Sequence, residues 1–273
     1  MPDAFLDSSV VIGLFFRNRG ERKVCEDAVP ITATLYCSRY VIFEVSRGFL
    51  RNLINLHNIS FEHESFADLH QAAHSGQLRF KRYAMETWLG AFDDYFAEMA
   101  LEQGSIENGL DLFELRAKIR GWVRRGWRKM VTKCAIINDI GCRPDITAPF
   151  VRSDDLLDQR LPLEQCGQPT ACELQSFMRG HASRAQSILD GLRRISNPDK
   201  ETARRIEAIH HLSNMVPGKP FSGSNCHSCG DALICLESPS TMWVITKNGK
   251  HFEPLVGILR IGLSIAKPAK STK

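Results

Sequence analysis

Three acidic residues in this chain lie within or directly beside apolar segments, where a carboxylate is unusual. Asp7 ends a short apolar run, Glu44 interrupts a second one, and Asp231 comes directly before a third. A buried carboxylate is costly unless it is paired or bound to a metal ion. Mg²⁺ and Mn²⁺ prefer carboxylate and water oxygens, and such ions promote phosphodiester hydrolysis. We therefore predict that Asp7, Glu44 and Asp231 share a site for Mg²⁺ or Mn²⁺ and act in catalysis.

Four hydroxyl or amide side chains accompany these acids. Ser8 and Ser9 follow Asp7 at the start of a predicted helix, where their hydroxyl or backbone N–H groups could contact a phosphate. Thr246 and Asn248 end a later apolar run, and we predict that they position the acids or a phosphate oxygen. Ser8 and Ser9 are thus expected in nucleic-acid binding, and Thr246 and Asn248 in catalysis.

Each of these residues also has a purely structural explanation. Asp7 and Asp231 could cap helices, which is the usual role of an isolated Asp at such a position. Glu44 could be a solvated helix residue, and Thr246 and Asn248 could be ordinary turn residues. Taken together, at the ends of predicted strands, they favour a functional site.

The segments 1–60 and 222–266 must position these residues, and we assign them to one discontinuous α/β domain. Within them, short apolar strands, among them 31–36 and 258–265, alternate with helices, which is typical of a parallel sheet covered by helices on both faces. Ser38 is the predicted cap of the helix that follows the strand 31–36. Ligands of such sheets bind beyond the carboxyl ends of the strands, where Asp7 and Thr246 fall. The tail 267–273 is predicted to be disordered.

The intervening range 61–221 is predicted to be a helical insertion, divided by segments that carry proline and glycine. Its predicted helices cover 61–75, 80–103, 108–138, 171–196 and 199–214.

One of these helices, 108–138, carries a run of basic residues with no acid between positions 116 and 133. Basic residues neutralise phosphates and supply affinity that does not depend on base sequence. We predict that nucleic acid contacts Arg120, Arg124, Arg125, Arg128 and Lys129. The alternatives are a solvated helix face, a membrane surface or an acidic partner. Trp122 follows the apolar spacing of the helix and is predicted to lie in the core.

A cysteine pair with the spacing C-x-x-C, Cys226 and Cys229, lies directly before the predicted acid Asp231. Of the cysteines that could complete a zinc site with this pair, Cys142, Cys166 and Cys172, we predict Cys166 and Cys172, since structural zinc sites use four ligands. An iron–sulfur cluster and free buried thiols are the alternatives.

The segments around the predicted acids, in their order along the chain, resemble the motifs of the PIN-domain nucleases, which include toxins of bacterial toxin–antitoxin pairs. The segment 6–12 is similar to the first motif, Glu44 to the helix-borne second acid, 230–234 to the third-acid motif and 244–252 to the last strand with its Thr-x-Asn signature. The resemblance covers about two-fifths of the chain; four motifs in order are more specific than any single one. Many relatives carry an Asp where this chain has His251, and a minimal PIN domain has no insertion like 61–221.

The resemblance implies a PIN-like sheet and a Mg²⁺- or Mn²⁺-dependent endoribonuclease, with RNA preferred over DNA and products ending in 5′-phosphate and 3′-hydroxyl. It also implies an antitoxin or other protein partner and a homodimer. Because His251 replaces an acid, a non-catalytic scaffold that binds nucleic acid or a protein is the alternative. A sensor protein, in which the cysteines and the insertion gate the site, is a third hypothesis.

The bulk composition predicts a soluble cytoplasmic protein. Hydrophobic residues make up 43% and charged residues 24% of the chain, and the net charge of +4 is only mildly basic. No apolar run is long enough to span a bilayer, and no basic segment precedes an apolar one as in a signal peptide. Nine cysteines without framework spacing indicate reduced thiols.

Overall fold

The computed structural model describes residues 3–75, 82–103, 111–140, 152–153, 156–157, 173–214 and 223–267. Its strands are β1 (Ala4–Leu6), β2 (Leu35–Ser38), β3 (Cys134–Ile137), β4 (Arg152–Ser153), β5 (Leu156–Leu157), β6 (Trp243–Thr246) and β7 (Gly262–Ile265). Five of them form one sheet in the order β3-β2-β1-β6-β7, with every pair parallel, and β4 pairs with β5 antiparallel. The predicted α/β fold with a parallel sheet is confirmed.

Helices connect and flank these strands. They are α1 (Ser8–Phe16), α2 (Arg19–Ala28), α3 (Arg39–Val45), α4 (Arg51–Ile59), α5 (Phe66–His74), α6 (Arg82–Gln103), α7 (Leu112–Lys133), α8 (Leu174–Gly180), α9 (Ala182–Arg193), α10 (Lys200–Ser213), α11 (Gly223–Ser228), α12 (Gly230–Glu237) and α13 (Gly249–Leu259). A π-helical turn, Ser46–Leu50, joins α3 to α4, and a 3-10 turn, Ser60–Glu62, follows α4. No helix in the described ranges is long and apolar enough to cross a membrane.

The central strand and the helix starts follow from local sequence. All three residues of β1 are fully buried, as expected for a strand with neighbours on both sides and helices on both faces. Asp7 caps α1 by accepting from the backbone N–H of Ser9. Ser38 caps α3 by accepting from Val41, as its sequence position predicts. These caps place the ends of β1 and β2 beside helix starts.

The end of α7 differs from the sequence prediction. The apolar spacing predicts a helix through 138, but α7 ends at Lys133 and the next four residues form β3. Leu35 pairs with Cys134 and Ser38 with Ile137, so this strand completes one edge of the sheet. The range 61–221, predicted to be helical, therefore contributes one strand to the sheet. The isoleucines of β3 suit this strand, because β-branched side chains pack well in a sheet.

Helix α7 also packs closely against α1. A Cβ atom on Gly126 would lie 2.4 Å from the ring of Phe16 and 2.6 Å from the carbonyl oxygen of Phe15. Trp122 and Trp127 are buried, with only 8% and 7% of their surface exposed, so the predicted core position of Trp122 is confirmed. Two helices can approach this closely only where one of them lacks a side chain.

Three further boundaries differ from prediction or lie outside the described residues. The sequence predicts the second strand at 31–36, but it begins at Leu35, and Ile31 is fully exposed. The last strand is predicted at 258–265, but α13 continues to Leu259 and ends at Arg260, whose φ is +55°. The predicted disordered tail lies almost entirely outside the described residues, which end at position 267.

Candidate metal centre

Asp7 lies at the carboxyl end of the central strand and is held by neighbouring hydroxyls. Its Oδ2 accepts from Ser9 Oγ at 2.6 Å and from Thr246 Oγ1 at 2.9 Å, and its Oδ1 accepts from Ser8 Oγ at 3.2 Å. The side chain is buried at 3% exposure. Three hydroxyl donors therefore fix both oxygens of a carboxylate that caps α1 and faces the sheet edge.

Thr246 and Asn248 connect Asp7 to the last helix. Thr246 ends β6, the neighbour of β1, and its hydroxyl donates to Asp7 while accepting from the backbone N–H of Asn248 at 2.9 Å. Ser9 Oγ likewise accepts from the backbone N–H of Lys247 at 3.0 Å. The hydroxyls of Ser9 and Thr246 are thus used to orient Asp7.

Glu44 lies on α3 and is largely buried, with a side chain that is 17% exposed. Tyr40 donates its hydroxyl to Glu44 Oε1 at 3.0 Å, and His227 Nδ1 lies 4.0 Å from the same oxygen. The pKa of Glu44 is raised to about 8, first by burial and then by the negative charges of Asp7 and Asp231, while the hydroxyls of Tyr40 and Ser8 lower it. Glu44 therefore keeps a proton at neutral pH unless a cation binds.

Asp231 lies in the first turn of α12, and Gly230 brings this turn against Glu44. A Cβ atom on Gly230 would lie 2.6 Å from Glu44 Oε1 and 2.9 Å from the Tyr40 hydroxyl. Burial raises the pKa of Asp231 to about 6; Arg205 opposes this rise and the charge of Asp7 adds to it. The three predicted acids thus lie near enough to repel one another electrostatically.

A second group of residues, not predicted from sequence, surrounds Asp231. Within the described part of the chain, one group of three potential ligands has its atoms within 4.8 Å of one another, and it consists of Glu201, Asp231 and His251. Asp7 and Glu44 are not in this group. Asp7, Glu44 and Asp231 therefore influence one another's charge, but their carboxylate oxygens are not all within 4.8 Å of one another, as the ligands of a bound ion would be.

Arg205 occupies the centre of this second group. It comes from α10, is 3% exposed, and donates through its Nη2 atom to Asp231 Oδ2. The same nitrogen lies 3.6 Å from Glu201 Oε1, and Nη1 donates to the backbone carbonyl of His251 at 3.4 Å. A buried guanidinium thus supplies a fixed positive charge to one of the predicted metal ligands.

His251 completes the network. Its Nε2 lies 3.1 Å from Glu201 Oε2, its Nδ1 lies 3.6 Å from Asp231 Oδ2, and Asn248 Nδ2 lies 2.7 Å from the same Nδ1. Asn248 therefore contacts His251 rather than an acid.

Glu201 and Arg205 carry little signal in the sequence. Their spacing is that of an ordinary i, i+4 ion pair on a helix surface. The burial of Arg205 distinguishes it from such a pair, and that burial depends on how α10 packs.

The predicted nucleic-acid residues of α7 lie on its outer side. Arg124, Arg125, Arg128 and Lys129 are exposed, and Arg120 is partly exposed. Their placement is compatible with the predicted contact and with a solvated helix face.

The predicted zinc ligands are only partly described. Cys166 and Cys172 lie outside the described residues. Cys229 is fully buried, and burial raises the pKa of its thiol to about 12, while Cys226 is partly buried. No cysteine in the described residues belongs to a group of three potential ligands. The zinc site stays a prediction.

Comparisons of this chain with protein-family models, with curated proteins and with solved structures found no match. The geometry of the site is therefore the basis for assigning a function.

Proposed function

We propose that this chain is a metal-dependent nuclease with a PIN-like fold, and that it cleaves RNA in preference to DNA. The observation that carries the proposal is the placement of the three acids at the carboxyl edge of the sheet. There Asp7 accepts from Thr246 at the end of β6, and the first turn of α12, which carries Asp231, lies against Glu44. Carboxylates crowded at the edge where α/β proteins bind ligands are typical of a cation site.

The donor set fits Mg²⁺ or Mn²⁺. All three candidate ligands offer carboxylate oxygens, and a divalent cation would relieve the repulsion between them. The hydroxyls of Ser9 and Thr246 hold Asp7 in one orientation, as the supporting residues of a metal site do. Arg205 opposes a cation, because it already neutralises part of the charge of Asp231.

Each residue then has a defined role. Asp7, Glu44 and Asp231 would hold the ion, which activates water and neutralises phosphate charge when it is bound. Thr246 and Ser9 orient Asp7, and Asn248 orients His251. Glu44, once ionised beside the cation, would be either a third ligand or the base that takes a proton from the attacking water. Arg205 holds Asp231 ionised.

A non-catalytic scaffold is the second candidate, and Arg205 is the observation that favours it. A guanidinium bound to Asp231 could balance the acids without any metal ion, and His251 removes one candidate ligand. In that case the raised pKa values would reflect burial alone. A scaffold would bind no divalent ion at millimolar concentration.

The resemblance to PIN nucleases adds an antitoxin or other protein partner and a homodimer to the proposal. The composition adds a cytoplasmic location, and the cysteine spacing adds a zinc clip. We offer them as proposals, each open to direct measurement.

The test is cleavage of purified RNA with and without Mn²⁺ by the parent and by Asp7→Asn and Asp231→Asn. We expect both variants to lose cleavage and to keep RNA binding. Asp190→Asn, an exposed acid on α9, is the matched control and should cut at the parental rate. Parental rates in both site variants would refute the assignment.

A further inference from the structure

A basic cleft lies at the far end of α1 from Asp7. It has a volume of 420 Å³ and is bounded by the end of α1, the start of α2, α6 and one face of α7. Five cationic side chains line it: Arg17, Arg19, Arg22, Arg125 and Lys129. Among the described residues of its lining, the one acid is Glu98.

Two of the five cations are held by the protein itself. Arg17 forms an ion pair with the buried Asp94, with Nε 2.7 Å from Oδ2, and Arg22 Nε donates to the carbonyl oxygen of Leu14 at 3.1 Å. In the described residues no ion pair engages Arg19, Arg125 or Lys129, all of which are exposed.

Glu98 does not offset this charge. It accepts from Trp122 Nε1 at 3.1 Å and forms an ion pair with Lys118 at 3.2 Å. The cleft therefore keeps a surplus of positive charge, to which the amino-terminal end of α2 adds.

The side chains that line the cleft suit a phosphate group better than a nucleic-acid base. Its aromatic walls, Phe15, Phe16 and Trp122, are at most 8% exposed, so they are core residues rather than platforms on which bases could stack. The indole N–H of Trp122 is already used by Glu98. Recognition of a base would need free polar groups, whereas recognition of phosphate needs only the cations that are present.

The basic surface extends beyond the cleft along α7. Arg124, Arg128 and Lys133 are also exposed, and they lie one turn or less from Arg125 and Lys129. A mononucleotide would need only the cleft, but a row of cations suits a chain of phosphates. Helix α1 has nine residues and so spans about 13 Å, with Asp7 at its start and the cleft at its end.

We propose that the basic cleft is an anchoring site for the phosphodiester backbone of a single-stranded nucleic acid, separate from the acid site. The contact is electrostatic and independent of base sequence. This inference deepens the proposed function by naming where the substrate is held, but its test measures binding and does not need cleavage.

The experiment measures binding of a fluorescein-labelled oligouridine by anisotropy, in a chelator and at several salt concentrations. The variant is Arg125→Gln/Lys129→Gln, and the matched control is Arg193→Gln/Arg194→Gln, which removes two exposed charges at the end of α9. Loss of two phosphate contacts should lower the slope of log K against log salt by about 1.4 and weaken binding about tenfold at low salt. The control should behave like the parent.

Parental affinity and slope in the cleft variant would overturn the proposal. So would an equal loss in the control, because the effect would then be one of total charge. Competition by uridine monophosphate as strong as that by the oligonucleotide would also overturn it, since the cleft would then bind single nucleotides. Failure of the proposed function is a different result, namely localised binding without metal-dependent cleavage.

Discussion

Replacing Glu44 with glutamine should make the metal-free protein more stable at alkaline pH. The pKa of Glu44 rises from 4.5 to about 8 on folding, so the folded state binds this proton more tightly than the unfolded state. The free energy of unfolding of the parent therefore falls as pH rises from 4.5 to 8 and levels off above that. Glutamine cannot ionise, and it keeps an oxygen that can accept from Tyr40.

The size of the effect can be worked out from the pKa. A rise from 4.5 to about 8 corresponds to about 5 kcal/mol between the two protonation states, and solvent at the 17% exposed side chain reduces this to about 3–4 kcal/mol. Below pH 4.5 the parent and the variant should be equally stable. At pH 8.5 the variant should be more stable by nearly the full amount.

The measurement is urea unfolding of both proteins in a chelator at fixed ionic strength, from pH 4.5 to 8.5. Glu26→Gln removes an exposed charge from α2 and should follow the parent at every pH. Saturating Mn²⁺ should reverse the order at pH 8.5, because the ion stabilises only the protein that binds it. Parallel stability curves for the parent and Glu44→Gln would show that Glu44 does not carry a raised pKa.

Two further substitutions test the surroundings of Asp231 and Glu44. Arg205→Met removes the cation beside Asp231, so the pKa of Asp231 should rise above about 6. The free energy of unfolding should fall by about 3 kcal/mol at pH 7 and by less at pH 5, where the carboxyl is protonated. An equal loss at both pH values would contradict this. Gly230→Ala places a methyl group 2.6 Å from Glu44 Oε1, and titration calorimetry should show Mn²⁺ binding about tenfold weaker. Gly257→Ala, on the exposed side of α13 with open space around its Cβ position, is the control, and the same affinity in both variants would mean that Glu44 is not a ligand.

Local sequence was sufficient for the elements whose boundaries depend on local interactions. Asp7 and Ser38 are caps that a short window reveals, and the fully apolar β1 could only be a central strand. The parallel sheet could be predicted from strands that alternate with helices. Strand β3 was missed because its four residues continue the apolar spacing of α7, and only pairing with β2, about 100 residues earlier, makes them a strand.

The contact between α10 and the acid site could not be predicted, because it depends on the burial of the Arg205 side chain. Arg205 meets Asp231 only through tertiary packing, and nothing in the residues near either one indicates the contact. Glu201 and His251 contact each other at 3.1 Å, so Glu201 already has a partner within the chain. The remaining three carboxylates and one guanidinium leave a charge that a single divalent cation balances. Under the proposed function, this favours one bound ion, and calorimetry that finds two Mn²⁺ per chain would contradict a single-ion site.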